Sequence, residues 1–110
     1  MNLQLEFEWG KLKNRLKEQF GASPEMEAIL FLIGVREYGK IKSVYTKEEK
    51  VDLMHIATCR VLSLEGYFEL EFTDQDGWPH YRATAKQRPN NLEEQEVLLK
   101  RNIINYFNAI

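Results

Sequence analysis

The longest uninterrupted apolar stretch of the chain covers residues 28–35 and contains no charged side chain. Ser23 suits a helix N-cap, Pro24 suits the first helical position, and Gly39 suits the C-terminal end. A helix that is apolar on all sides belongs in a protein interior. The pattern therefore predicts a buried central helix between residues 23 and 39, with a buried strand as the competing interpretation.

The first twenty residues carry two overlapping apolar patterns. Positions 3, 5, 7 and 9 alternate with polar residues, as is typical of a strand. A second set recurs at helical spacing, namely Leu5, Trp9, Leu12, Leu16 and Phe20. The second pattern is favoured and predicts a helix that Gly21 closes. A short strand over residues 3–7, followed by a helix, is the alternative.

Residues 39–45 predict a short basic connection to a third helix. Thr46 opens a capping-box sequence, because its hydroxyl and the Glu49 carboxylate can each accept from the other residue's backbone N–H. That helix is predicted to run to about Leu64. One half of its surface is apolar and holds Val51, Leu53, Met54, Ala57, Val61, Leu62 and Leu64. The other half is polar and holds Glu48, Asp52, His55, Cys59 and Ser63.

A β-hairpin is predicted after the third helix. Residues 67–72 alternate between apolar and polar side chains, and residues 73–77 have turn composition. Residues 78–84 then form the returning strand, which lies at a sheet edge or begins beyond Pro79, because proline has no N–H to donate. The apolar residues of the first strand are expected on one face, packed on the helices: Phe68, Leu70 and Phe72.

A last helix is predicted after Asn91, which suits an N-cap, with Glu93 and Glu94 at its positive end. Its apolar stripe is wide and includes Leu92, Val97, Leu99, Ile103, Ile104, Tyr106, Phe107 and Ile110. We interpret the stripe as docking on the chain's own core. A homodimer formed through this C-terminal helix is the alternative.

These elements predict a mainly α fold of the α+β class, in which about four helices pack around the buried central helix beside one β-hairpin. A chain of 110 residues fits a single domain, residues 1–110, with its own core. The composition, 44% hydrophobic and 29% charged, is typical of a globular domain and not of a disordered or membrane-resident chain. The chain has one cysteine, and its first residues lack the basic start and long apolar run of a secretory signal. We therefore expect the protein to be located in the cytoplasm.

The formal net charge of −2 argues against nucleic-acid binding by bulk electrostatics. A local basic patch is the alternative, formed by Lys40, Lys42, Lys47, Lys50, Arg82 and Lys86. Most of the cations lie beside acidic residues in the chain. A solvated surface of mixed charge is therefore the favoured interpretation.

On the predicted third helix, the spacing of Asp52, His55 and Cys59 brings a carboxylate, an imidazole and a thiol together. Such groups can bind zinc, and His80 is the second histidine of the chain. The spacings C-x-x-C and H-E-x-x-H do not occur. We therefore favour a surface histidine and a half-buried cysteine, with no metal or other cofactor. A nucleophilic Cys59 is disfavoured, because one helix face rarely provides both a pocket and an oxyanion hole.

The returning strand of the hairpin is a candidate protein-contact surface, made of Trp78, His80, Tyr81 and Arg82. Aromatic residues beside arginine are frequent anchors of protein interfaces. Packing of these aromatic rings back over the sheet is the favoured alternative.

Residues 46–84 resemble the second half of a winged-helix domain. The likeness is carried by a helix ending in Leu62-Ser-Leu-Glu-Gly66, a strand, the turn Asp74-Gln-Asp-Gly77 and a second strand. In that family the helix before the hairpin reads the DNA major groove through basic and amide side chains, although many such domains bind proteins instead. Here that helix begins Lys-Glu-Glu-Lys, which departs from the DNA-binding pattern. The segments 52–57 (DLMHIA) and 76–80 (DGWPH) also resemble small bacterial proteins of unknown function.

The sequence therefore predicts a non-enzymatic module that binds another protein, with a homodimer as one form of that interaction and with no membrane contact. The expected contact surfaces are the strand of residues 78–82 and the helix face with Asp52 and His55. A winged-helix-type nucleic-acid-binding protein is the first alternative. A metal- or thiol-dependent enzyme is the second.

Overall fold

The computed structural model describes residues 2–110 and shows, within that range, four helices and one antiparallel β-hairpin. In chain order these are α1 (Leu3–Phe20), α2 (Met26–Tyr38), α3 (Lys47–Ser63), β1 (Phe68–Thr73), β2 (Pro79–Ala83) and α4 (Leu92–Asn108). The predicted mainly α, α+β fold with one hairpin is confirmed. No helix in this part of the chain has both the length and the hydropathy to cross a lipid bilayer.

Helix α1 is continuous, so the helical pattern in the first twenty residues is confirmed and the strand pattern is not. The Asn2 side chain accepts a hydrogen bond of 3.0 Å from the Leu5 backbone N–H. Gly21 ends the helix in the left-handed conformation. Phe20 is exposed, whereas the other residues of the predicted stripe are buried: Leu5, Trp9, Leu12 and Leu16.

Helix α2 begins later than predicted and is buried on one side only. Its N-cap is Glu25 rather than Ser23, so Pro24 precedes the helix. The buried residues are Ile29, Leu30, Ile33 and Gly34. Ala28 and Arg36 are exposed. The expectation that this helix is buried on all sides is therefore corrected, because so small a domain covers only one face of it.

Helix α3, and not α2 as predicted, occupies the centre of the fold, since α3 contacts α2, α4 and both strands. The predicted capping box of Thr46 and Glu49 is present. Val51, expected on the apolar half, is exposed, and Cys59, expected on the polar half, is buried. Neighbours on several sides cover this helix, so its burial does not follow a simple two-faced pattern.

The hairpin contains a register irregularity that the alternating pattern did not predict. Leu70 lies opposite Tyr81, but Phe72 lies opposite His80, so Glu71 is an extra residue in β1. His80 and Tyr81 are adjacent in β2 and therefore point to opposite faces of the sheet. Their partners in β1, Phe72 and Leu70, consequently point to opposite faces as well. The prediction that Phe68, Leu70 and Phe72 share one face is wrong for Phe72. Leu70 is 55% exposed, so the expected packing of this face on the helices is also wrong for Leu70.

Strand β2 includes Pro79 as its first residue, so it does not begin beyond the proline. In a two-stranded sheet both strands are edges, where a residue without an N–H is tolerated.

Helix α4 packs on α1 and α3. Asn91 is its N-cap, as predicted, and accepts from the Glu94 backbone N–H at 2.7 Å. Leu92 and Ile110 are exposed at the two ends of the apolar stripe. Six residues of α4 are buried in the interior of the domain: Leu98, Asn102, Ile103, Ile104, Tyr106 and Phe107. The homodimer through this helix stays a prediction.

Candidate functional site

The connection between α2 and α3, residues 39–46, is an anchored loop. The Tyr45 ring meets the Phe31 ring edge-on, with 5.3 Å between centroids. The Tyr45 hydroxyl accepts from the Lys42 backbone N–H at 3.2 Å and donates to the Lys40 carbonyl at 3.3 Å. One tyrosine therefore fixes the course of the loop against α2.

Two lysine side chains of the anchored loop bond to groups outside it. Lys40 Nζ donates to the Asp76 carbonyl in the hairpin turn. Lys42 Nζ forms an ion pair with Glu49, which also accepts from the Thr46 backbone N–H at 2.9 Å. The hydrogen bond from Lys42 lowers the pKa of Glu49 below its ordinary value. The loop is thus attached to the hairpin as well as to the first turn of α3.

The anchored loop nevertheless exposes large apolar side chains. Ile41 is 90% exposed and Val44 is 75% exposed. Lys47, Lys50 and Val51 are exposed on the first turns of α3, which follow directly in the chain. We call this set the loop surface: Ile41, Val44, Lys47, Lys50 and Val51. The sequence indicated a basic connection here. It did not show that the connection is held in place by contacts, or that it exposes two aliphatic side chains.

Two residues of the predicted contact strand are used inside the chain. The Trp78 ring meets the Tyr38 ring edge-on, with 4.6 Å between centroids. Tyr81 is half-buried, and this burial raises the pKa of its hydroxyl. Both residues therefore take part in internal packing.

His80 and Arg82 lie on the outer face of the hairpin, opposite to Tyr81. His80 stacks on Phe72 with 4.4 Å between ring centroids, and its Nε2 lies 2.8 Å from Asp74 Oδ2. Arg82 is exposed and forms an ion pair of 2.8 Å with Glu69. The four strand residues thus do not form one continuous contact surface.

The candidate metal ligands are only partly brought together. His55 Nε2 lies 3.7 Å from Cys59 Sγ. Asp52 is exposed on α3, and His80 is bound to Asp74 on the hairpin. In residues 2–110, no three His, Cys, Asp or Glu side chains are placed to hold a metal ion. Cys59 is 2% exposed, and burial raises the pKa of its thiol.

Four of the six candidate nucleic-acid-binding cations have partners within the chain. The partners of Lys40, Lys42 and Arg82 are described above. Lys86 Nζ donates to the Glu65 carbonyl at 2.6 Å and lies 4.4 Å from the centroid of the Tyr67 ring. The remaining two, Lys47 and Lys50, belong to the loop surface. Nucleic-acid binding stays a prediction.

A polar network around Glu37 joins α2, α3 and α4. Glu37 Oε1 accepts from Arg60 Nε at 3.1 Å, and Glu37 Oε2 accepts from the Tyr106 hydroxyl at 2.5 Å. Arg60 also donates to the Ser63 hydroxyl at 3.2 Å. No local pattern in the sequence signals this network, because its members are far apart in the chain.

A second network joins the end of α3 to α4. Glu65 accepts two hydrogen bonds from Arg101, at 2.8 and 3.0 Å, and these bonds lower the pKa of Glu65. Asn102 Nδ2 donates to Glu65 Oε2 at 2.7 Å and to the Leu98 carbonyl at 2.9 Å. Asn102 Oδ1 is buried and has no hydrogen-bond partner among residues 2–110. Both carboxylate networks hold helices together.

A cleft of about 700 Å³ lies between α3, α4 and residues 84–90. We call it the basic cleft, because Lys86 and Arg88 line it. A neighbouring cleft of about 690 Å³ is lined by four acidic residues, Glu6, Glu93, Glu94 and Glu96, together with Lys100 and Arg101. The two clefts share Tyr67, Pro89 and Leu98.

Comparison of the chain with protein-family models, with curated proteins and with solved structures finds no match.

Proposed function

We propose that the protein is a non-enzymatic interaction module that binds an acidic and apolar segment of another protein on the loop surface. The observation that supports this most directly is the exposure of Ile41 and Val44, 90% and 75%, on a loop that is anchored to α2, α3 and the hairpin. Apolar side chains held in place on a surface are a feature of binding sites. Because the anchored loop is already ordered, binding costs little conformational entropy.

The charges of the loop surface indicate the chemistry of the partner. The charged members of the loop surface are Lys47 and Lys50, both exposed, with Glu48 between them in the chain. Lysines beside aliphatic side chains suit a segment in which Asp or Glu alternates with apolar residues. A nucleic-acid backbone offers no apolar counterpart to Ile41 and Val44, so we propose a protein partner rather than a nucleic acid.

The burial of Cys59 supports a non-enzymatic role over a thiol enzyme. Reactive cysteines are accessible and have a lowered pKa. Cys59 is 2% exposed, and its pKa is raised. His55, at 3.7 Å from Cys59 Sγ, is therefore next to an inert thiol.

The test is site-specific photo-crosslinking in the cells that make the protein, with a photoreactive residue at position 41 or, as a control, at position 3. Leu3 is also an exposed aliphatic residue, on α1. Crosslinked peptides are identified by mass spectrometry and synthesised, and their Kd values are measured by fluorescence anisotropy. The double variant I41D/V44D is compared with L3D.

We expect acidic, apolar peptides from position 41, with Kd at least tenfold weaker for I41D/V44D and within twofold of wild type for L3D. Equal adducts from positions 3 and 41, adducts with nucleic acid only, or an unchanged Kd for I41D/V44D would overturn the proposal.

A homodimer is the second candidate, because the first turn of α4 is itself an acidic and apolar segment of the kind proposed to bind the loop surface. Leu92 is 82% exposed and is followed by Glu93 and Glu94. In a symmetric pair, the loop surface of each copy would contact α4 of the other copy. Light scattering after size exclusion tests this: L92K and I41D/V44D should each convert a dimer into a monomer. A wild-type monomer at high micromolar concentration contradicts it.

A further inference from the structure

The basic cleft has a size and a floor suited to a small molecule. Its volume of about 700 Å³ lies within the range of ligand sites in proteins. Leu62 and Leu98 lie at the bottom and are almost fully covered by the chain itself, whereas Leu99 and Tyr67 are half-buried and keep exposed apolar surface in the cleft. A ligand that enters the cleft would therefore cover hydrocarbon surface of Leu99 and Tyr67.

Positive charge lines the same cleft, on the segment between β2 and α4. Lys86 Nζ lies 4.4 Å from the centroid of the Tyr67 ring, and the Arg88 guanidinium lies 5.2 Å from that of the Phe68 ring. None of the cleft-lining residues in the described range is Asp or Glu. The nearby Glu65 carboxylate is bound by Arg101 and Asn102 on α4. Lys86 and Arg88 thus give the cleft a net positive lining.

Hydrogen bonds hold the wall of the basic cleft in place. The Thr84 hydroxyl donates to the Gly66 carbonyl at 2.7 Å and accepts from the Lys86 backbone N–H at 3.2 Å. At the other end of the segment, Gln95 Nε2 donates to the Pro89 carbonyl at 2.8 Å. A wall fixed at both ends is already organised for binding.

We propose that the basic cleft binds a small amphipathic organic anion, a carboxylate with an aliphatic tail. The tail covers the apolar surface that Leu99 and Tyr67 expose above Leu62 and Leu98, and the carboxylate accepts charge-assisted hydrogen bonds from Lys86 and Arg88. Lys86 donates one hydrogen bond to the Glu65 carbonyl, and an ammonium group has three donors, so donors remain for a carboxylate. A neutral apolar molecule would offer no negative charge to either cation, and a simple inorganic anion would leave the floor uncovered. This proposal is independent of the loop surface and its partner.

The test is a titration of the ¹⁵N-labelled full chain with sodium octanoate, followed by amide chemical shifts. Octan-1-ol has the same tail without the charge and is titrated in parallel. The variant K86Q/R88Q removes both cations from the cleft, and K47Q/K50Q removes two exposed cations from α3 as a matched control. All four side chains are exposed, but Lys86 also bonds to the Glu65 carbonyl, so urea unfolding of both variants is measured to separate lost binding from lost stability.

We expect octanoate to shift amides around Leu62, Tyr67 and Leu98, with a Kd at least fivefold weaker for K86Q/R88Q and within twofold of wild type for K47Q/K50Q. Octan-1-ol should bind at least fivefold more weakly than octanoate. Shifts located elsewhere, no shifts, equal binding of the alcohol, or less than a fivefold effect of K86Q/R88Q would each overturn the proposal.

Discussion

Tyr106 in α4 donates a hydrogen bond of 2.5 Å to Glu37 in α2, although the two residues are 69 positions apart in the chain. The other carboxylate oxygen of Glu37 accepts from Arg60 in α3 at 3.1 Å. One carboxylate therefore connects three helices near the centre of the fold. Burial raises the pKa of Tyr106 above its ordinary value of 10, and the hydrogen bond to Glu37 acts in the same direction.

Removing the Tyr106 hydroxyl should destabilise the protein. In Tyr106→Phe, one oxygen of the partly buried Glu37 loses its donor, so we expect the free energy of unfolding to fall by about 1–3 kcal/mol. Urea unfolding followed by circular dichroism measures the change. Tyr38→Phe is the control, because the Tyr38 ring makes the contact with Trp78, and we expect a change within about 0.5 kcal/mol. Equal effects of the two variants would contradict a bonding role for the Tyr106 hydroxyl.

The same hydroxyl should make stability depend on alkaline pH. A raised pKa in the folded state contributes stability that is fully present below the unfolded pKa, near 10, and is lost as pH rises towards the folded pKa. The wild-type unfolding free energy should therefore decline above about pH 10. Tyr106→Phe should decline less steeply, with a remaining slope from Tyr81 and Cys59, whose pKa values are also raised. Urea midpoints measured from pH 8 to pH 11 test this, and parallel slopes would contradict it.

The contact between α2 and α3 should depend on Gly34. A Cβ atom added there would lie 2.2 Å from the Leu53 backbone oxygen, so one helix must move. We expect Gly34→Ala to destabilise the protein by about 3 kcal/mol. Gly10→Ala is the matched control, because a Cβ at Gly10 meets no atom within 4 Å. There we expect a gain of about 0.5–1 kcal/mol from higher helix propensity. Similar thermal midpoints for the two variants would be inconsistent with this packing.

Asn102 should tolerate no negative charge. Its Nδ2 donates to Glu65 at 2.7 Å, so Asn102→Asp would place a buried carboxylate directly against a partly buried one. We expect a loss of about 3–5 kcal/mol at neutral pH, and part of it should return in acid as one carboxyl takes up a proton. Thermal unfolding at pH 7 and pH 4.5 tests both statements. Adding Glu65→Gln should restore part of the stability, and Asn105→Asp, at an exposed position, should have little effect.

Local signals in the sequence were sufficient for the helices and the hairpin. The Thr46 capping box, the Asn91 cap and the glycine at the end of α1 act within a few residues, so reading the chain locally finds them. The start of α2 was misplaced, because Ser23 and Pro24 have the composition of a helix start while Glu25 is the residue that takes the cap position.

The candidate site was less predictable than the fold. The basic composition pointed to residues 39–45. Only the structure shows that the contacts of Tyr45 and Lys40 fix this loop, and that Ile41 is exposed on it. The predicted contact residues of the returning strand do not lie together. Tyr81 faces the opposite side of the sheet from His80 and Arg82, and Trp78 packs on Tyr38. The basic cleft involves residues from α3, α4 and the segment between β2 and α4, so no single stretch of sequence could signal it.

The sequence by itself determined where most helices and strands lie, because caps, turn residues and apolar spacing act between near neighbours in the chain. Only the tertiary structure decided that α3 is central, that Cys59 is buried, and that Glu71 shifts Phe72 to the outer face. It also decided the partners of Glu37 and Asn102. Burial and hydrogen bonding between distant residues depend on how the elements pack, and that packing is a property of the whole chain.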